Sequence, residues 1–238
     1  MQNKPPVLEL QGLAKTFTKK SVFHTEKTEV LKDINLTLQQ GESLALIGPS
    51  GCGKTTLIKI VLGLEKQDKG KVLIMGKDTA ALSKKEFQKT LSQIGVIFQD
   101  PFSALDPRQT IESILSEPFL INKKPVTKQI LEQTLKEVSL EKTALKKYPH
   151  QFSGGQCQRI NIARALILKP KLIIADEPTS ALDVSVQAQI INLLTKMKGK
   201  YNFSLLFISH NLALCKYLCQ NIVLVKQGKL NKITGDEL

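Results

Sequence analysis

The sequence predicts an α/β fold: a mainly parallel sheet covered by helices, a small antiparallel β part, and an inserted α-helical segment. Three observations carry this. Apolar runs of strand length alternate with amphipathic runs of helix length, the pattern of parallel strands joined by crossover helices. A glycine loop, "GPSGCGKT", stands between the apolar run "SLALI" and a helical run. Between Pro101 and about Lys169 strand signals give way to helical periodicity. The expected organisation is one domain over residues 1–238, with 1–100 and 170–238 forming the core and 101–169 the helical insert.

Taken in order, "PVLELQGLAKTF" alternates like a strand entering a turn. "INLTLQQGESLALIGPSGCGKTTLIKIVLGL" reads strand, turn, strand, glycine loop, helix. That helix is expected to bury Leu57, Ile60, Val61 and Leu64, with Gly63 in its last turn. "KVLIMG" and "IGVIFQD" are short strands. "IESILSEPFL" and "TKQILEQTLKEVSL" are amphipathic helices, the second placing Leu131, Leu135 and Val138 on one face. In "HQFSGGQCQRINIARAL", Ser153 fits an N-cap, and Gly154 and Gly155 free the backbone for close approach to a ligand. Ile160, Ala163 and Ile167 follow on one helical face. A helix start opened in this way is an anion site. Strands resume at "KLIIADE", "SLLFISH" and "NIVLVKQGKL", with the helix "SVQAQIINLLTKMKGK" after the first.

The bulk properties narrow the class. With 238 residues and 42% hydrophobic content, the chain can bury a substantial core. No apolar run approaches the ~20 residues of a membrane helix. The N-terminus has no apolar signal core, so the cytoplasm is expected, and the final "GDEL" reads as an ordinary polar end. The net charge of +13 suits an anionic membrane surface or nucleic acid. The lysines are scattered, without a long basic block or a nucleic-acid module, so no nucleic-acid partner is expected. Cys52, Cys157, Cys215 and Cys219 lack the spacing of a metal framework, and reduced structural thiols are expected. His24, His150 and His210 are far apart in sequence.

Two motifs carry chemistry. Gly48, Pro49, Ser50, Gly51, Cys52, Gly53, Lys54 and Thr55, with Thr56 behind them, fit the phosphate-loop pattern G-x-x-x-x-G-K-[ST] in its proper strand–loop–helix context. This marks a P-loop NTPase core. Backbone N–H groups wrap phosphates, Lys54 reaches the β- and γ-phosphates, and Thr55 supplies an oxygen to Mg²⁺. The second motif is "KLIIADEPTSALD". Asp176 closes an apolar strand, where α/β sheets place ligands, and is assigned to Mg²⁺. The adjacent Glu177 points elsewhere and is assigned as general base for an attacking water.

The phosphate loop, "SGGQ" and "IIADEP", in this order, resemble the nucleotide-binding subunits of ABC transporters, over nearly the whole chain. The resemblance implies an ATPase using ATP and Mg²⁺. It implies that Ser153, Gly154, Gly155 and Gln156 complete the nucleotide site of a second ATPase subunit, as a heterodimer or a homodimer. Gln99 matches the glutamine that senses Mg²⁺ and water, Asp183 the aspartate after the acidic motif, and His210 the histidine at the γ-phosphate. Phe17 matches the adenine-stacking aromatic, with Phe23 and an ordinary core phenylalanine as alternatives. The implied partners are transmembrane permease subunits, docked near the Gln99–Arg108 loop, and indirectly an extracytoplasmic binding protein. The implied place is the cytoplasmic face of the membrane. "DEPTSALDVSVQAQIINLL" and "FQDPFSALDPRQTI" are similar to the dipeptide, oligopeptide and nickel importer branch. The short end after "KQGKLNKITGDEL" leans the expectation toward its nickel- or metal-chelate-type subunit. Phe152 stands where leucine is usual and Cys157 where a polar residue is common; neither removes a phosphate ligand. A soluble ATPase of this class working on nucleic acid or ribosomes, and an exporter subunit, are the alternatives.

Overall fold

A computed structural model describes residues 5–20 and 25–232. Phe23 and His24 lie outside the described residues, as does the "GDEL" end. The chain divides into two compact units, Met1–Leu91 with Leu206–Leu238, and Ser92–Leu205.

The first unit begins with a ribbon. Strands β1 (Leu8–Lys20) and β2 (Thr25–Leu38) pair antiparallel, and β1 also pairs with β4 (Lys69–Ile74), which pairs with the short β5 (Lys77–Asp78). The order in this four-stranded sheet is β2-β1-β4-β5, the antiparallel part that the sequence predicts. Strand β2 starts nine residues before "INLTL": Thr25–Lys32 reads as polar because it lies at the edge of the sheet, with Glu26–Glu29 all in solvent. A core lies beneath it, where Leu8, Leu10, Leu13, Leu31, Ile34 and Leu36 are buried.

Strand β3 (Ser43–Ile47) feeds the phosphate loop and then helix α1 (Lys54–Val61). The helix ends earlier than its periodicity suggests. Gly63, at φ +71°, donates to Ile60 O at 3.0 Å, and Leu64 N donates to Lys59 O at 2.8 Å. These two bonds form a Schellman close, in which only glycine sits without strain. Leu64 is thereby turned out and is 70% exposed, contrary to its expected burial, whereas Leu57, Ile60 and Val61 are buried. Two further helices, α2 (Lys84–Leu91) and α7 (Leu212–Leu218), were not legible as such. Each is at most two turns, too short for its apolar period to register. "NIVLVKQGKL" proves to be two strands, β9 (Asn221–Lys226) and β10 (Lys229–Lys232), reversed at Gln227 and Gly228. Both residues have positive φ, as a two-residue hairpin turn requires.

The second unit contains β6 (Ile94–Ile97) paired parallel with β7 (Leu172–Asp176). Its helices are α3 (Ile111–Ile121), α4 (Lys128–Glu137), α5 (Gly154–Leu166) and α6 (Val184–Tyr201). Leu131, Leu135 and Val138 are buried as predicted, and so are Ile160, Ala163 and Ile167. Thr110, Thr127, Ser153 and Asp183 each cap the start of one of these helices, and Asn202 closes α6 in the left-handed conformation. Glu137, at the end of α4, takes Lys200 Nζ at 2.6 Å and the Tyr201 hydroxyl, which pins α6 to α4.

A further strand, β8, spans Ser204–Ile208. Strands β3 and β9 are parallel, and the hairpin partner β10 is an antiparallel edge. Strand β8 is buried throughout. Among the described residues no helix is long and apolar enough to cross a membrane.

Candidate active site

The first unit holds the phosphate loop. Gly53 adopts φ +109° at the N-cap of α1, a conformation that side chains disfavour. A Cβ there would also lie 2.9 Å from Val30 O and from Leu31 Cδ2. Lys54 is 8% exposed, and its ammonium folds back into the loop, donating to Gly48 O at 2.6 Å and Pro49 O at 2.9 Å. Cys52 Sγ lies 3.8 Å from the same nitrogen. Thr55 is exposed at the helix start, with Thr56 half-buried. A cation held inside a glycine loop at a helix N-terminus fits a phosphate chain.

The same unit holds His210 and Phe17. His210 is exposed just beyond β8. Its turn is anchored on both sides: Ser209 N donates to Leu46 O at 3.4 Å, on the strand that feeds the phosphate loop, and Asn211 caps α7. Phe17 stays 41% exposed on β1, with the Lys15 ammonium 5.1 Å from its ring centroid. Lys15 is fixed in turn by Glu65 at 2.7 Å and Lys66 O at 2.7 Å. The Glu65 hydrogen bond raises the Lys15 pKa above its ordinary value and depresses that of Glu65.

The second unit holds the remaining candidates. Asp176 closes β7 half-buried, and Glu177 follows at φ +43°. A non-glycine residue in the left-handed region costs about 1–3 kcal/mol and marks an imposed geometry. Here it turns two successive carboxylates at a strand end. Ser180 steadies the turn, its N–H and hydroxyl both donating to Glu177 O, at 3.2 and 3.1 Å. Gln99 is exposed just beyond β6. The loop after it is braced from within: Asp100 accepts from Phe102 N at 2.9 Å, and Asp106 pairs with Arg108 at 3.1 Å. These hydrogen bonds hold both carboxyls below the usual range.

Ser153 and Gln156 form a capping box at the head of α5. The Ser153 hydroxyl accepts from Gln156 N, and Gln156 Oε1 accepts from Ser153 N at 3.0 Å. The first N–H groups of a helix have no partner within it, which leaves those of Gly154 and Gly155 without an intrahelical bond. The structure adds a reason for the second glycine: a Cβ at Gly155 would lie 2.6 Å from Val186 Cγ1. Gly155 is therefore also required for α6 to approach. Asp183 caps α6 by accepting from Val186 N at 2.9 Å, and with the Ser185 hydroxyl this depresses its pKa.

Cys157 now has an account. It is fully buried beside Ile160, its thiol faces Pro149 O at 3.5 Å, and desolvation pushes its pKa up to about 11. It packs the helix rather than serving chemistry. Three residues of α5 escaped the sequence reading: Gln158, Asn161 and Arg164. The available signal was polar side chains every third position in a helix otherwise apolar enough to be buried.

Comparison with known proteins places these features. The ABC transporter family profile matches residues 31–180. The oligopeptide transport ATP-binding protein OppF of Haemophilus influenzae is 40% identical over 243 residues, covering 98% of this chain and 73% of that protein. AppF of Bacillus subtilis, of the same description, is 40% identical over 240 residues with the same coverage. Among solved structures, the dimeric ATP-binding cassette MJ0796 in a post-hydrolysis state with ADP and Pi superposes with a TM-score of 0.82 at 30% identity. That match covers 96% of this chain and 99% of the other. With the motifs in family order on the fold of an ATP-binding cassette, the chain belongs to the ABC transporter family.

Proposed function

We propose that this chain is the ATP-hydrolysing subunit of an importer for oligopeptides. The observation that carries this reading is the pair of oligopeptide transport relatives, each matching 98% of the chain. They favour peptide over nickel as cargo. The glycine loop Gly48–Thr55 binds the phosphates of ATP, and Phe17 stacks on the adenine. Thr55, Gln99 and Asp176 offer a hydroxyl, an amide oxygen and a carboxylate, hard donors suited to Mg²⁺, whose charge neutralises phosphate oxygens when it is bound. Glu177 accepts a proton from the attacking water. Lys54 and His210 donate to the oxygens of the transferring phosphoryl group.

Two such subunits work together, supported by the dimeric cassettes among the structural neighbours. Ser153, Gly154, Gly155 and Gln156 face the nucleotide of the other subunit, with Asp183 near that junction. The pair is a heterodimer with a second ATPase chain or a homodimer of this one. The permease subunits dock on the second unit beside Gln99. An open cavity of about 300 Å³ lies there, lined by Phe98, Glu117, Pro118, Ile121 and Arg164. Phe98 and Ile121 are exposed, and Glu117 and Arg164 add one charge of each sign, a surface suited to an amphipathic permease helix. On this reading the chain works at the cytoplasmic face of the membrane.

Uptake measurements test the cargo. In a strain deleted for this gene, oligopeptide uptake should fall to background and return with the parental chain, but not with Lys54→Ala. Loss of nickel uptake with peptide uptake intact would overturn the peptide assignment.

A further inference from the structure

Helix α5 carries a polar stripe that faces inward. Gln158 and Asn161 are 0% and 1% exposed. Gln158, Asn161 and Arg164 each donate to a main-chain carbonyl of the segment after β6, and the two sets run in step. Gln158 Nε2 reaches Phe98 O at 3.4 Å, Asn161 Nδ2 reaches Pro101 O at 2.9 Å, and Arg164 Nη1 reaches Ala104 O at 2.7 Å. The Gln158 nitrogen also donates to Pro178 O at 2.6 Å, the stronger of its two bonds. Asn161 Nδ2 donates back to Gln158 Oε1 at 3.2 Å, which fixes the orientation of the Gln158 amide.

One amide nitrogen thus bridges the carbonyl just before Gln99 and the carbonyl just after Glu177. We propose that Gln158 is a positioning residue that holds Gln99 and Glu177 in register with each other. With Asn161 and Arg164 it makes the 98–104 segment move as one body with α5. This rests on the reading of Gln99 and Glu177 as the residues that handle the attacking water.

The chemistry of the site supports the assignment. A buried amide is retained only where its hydrogens are used, and packing alone would be served by an apolar residue such as the neighbouring Ile160 and Ile162. Gln158 and Asn161 are too enclosed to touch substrate, so they act through the backbone they hold. The two carbonyls that Gln158 holds flank the reactive side chains, so releasing them shifts those side chains, and about 1 Å of misplacement can cost about 10²-fold in rate. Since Ser153 opens the same helix, movement at the head of α5 is carried to the loop beside the proposed permease surface.

The test uses the full chain with Gln158→Glu, which keeps shape but removes the N–H donor, and Gln158→Met, which keeps length and packing. Each variant is first shown to be folded by near-ultraviolet circular dichroism. The expected result is a fall in kcat of about 10- to 100-fold, with KM for ATP within about threefold of the parent. Amide hydrogen exchange across 98–104 and 177–180 should quicken in both variants, a readout that does not depend on turnover. Should Gln158→Glu fail to fold, Gln158→Met carries the test. Parental kcat in a folded variant, a loss confined to ATP binding, or unchanged exchange across 98–104 would each overturn the proposal. Absence of ATPase activity in the parent assembled with its second subunit would instead overturn the assignment of Gln99 and Glu177, and the exchange measurement would still report on the clamp.

Discussion

Gly155 offers a way to separate two reasons for one glycine. Its backbone is helical, so alanine there is conformationally allowed and would gain up to about 1 kcal/mol in helix propensity. Against this, the new Cβ would stand 2.6 Å from Val186 Cγ1, closer than any real contact. Val186 is β-branched and half-buried, and cannot swing aside freely. Overpacking of this kind costs about 1–3 kcal/mol. Gly155→Ala is therefore expected to lower the thermal midpoint by about 2–4 °C for each kcal/mol by which the clash exceeds the helix gain. Val186→Ala alone removes part of one side chain at a partly exposed site and should cost about 1 kcal/mol. In the double variant the clash disappears, and its stability should exceed the sum of the two single effects by about 1–2 kcal/mol. Chemical denaturation of the four proteins gives this coupling, and their ATPase rates give the second answer. The alanine keeps its N–H, so activity should return with stability in the double variant. Purely additive stabilities would refute the packing argument. A stable but inactive double variant would show that the glycine serves ligand approach above all.

Other expectations follow from the same structure. Burial pushes the Glu137 carboxyl up, but hydrogen bonds from Lys200, Tyr201 and Gln133 outweigh it and leave the pKa lowered. Its contribution to stability is therefore present above the unfolded value of about 4.3 and is lost as pH falls through the folded one. Glu137→Gln should be less stable than the parent at pH 7, with the gap in urea midpoint closing as the pH falls below the unfolded value. Burial pushes the Cys157 and Cys215 thiols up to about 11, so both should resist iodoacetamide at pH 8 until the protein is unfolded, as mass spectrometry of labelled peptides would show. Phe17→Ala should weaken ATP binding while leaving tripolyphosphate binding within about twofold, since stacking on a base contributes about 1–3 kcal/mol. Equal losses for both ligands, read by calorimetry, would remove Phe17 from the adenine site.

Much of this was legible because strong local rules agreed with the fold. The phosphate loop could be read because strand, glycines, lysine and helix occur in one order with one purpose. The helix start at Ser153 could be read because capping is local chemistry. What failed was what packing decides. The period of α1 continues through Leu64, and only the reversal at Gly63 exposes it. Helices α2 and α7 are too short to show a period. Gly155 reads as a ligand glycine until Val186, thirty-one residues away, comes to lie against it. Gln158, Asn161 and Arg164 read as ordinary helix polarity, because their partners are carbonyls sixty residues earlier.

The central claim is that Glu177 activates water at a nucleotide shared between two ATPase subunits. Substituting Glu177→Gln and measuring ATP hydrolysis together with the sedimentation of the chain, with and without Mg-ATP, tests it most directly. The account predicts hydrolysis reduced at least 100-fold, as for loss of a general base, and a dimer that forms only with ATP. Hydrolysis at the parental rate, or no ATP-dependent dimer either from this chain alone or with its partner subunit, would contradict it.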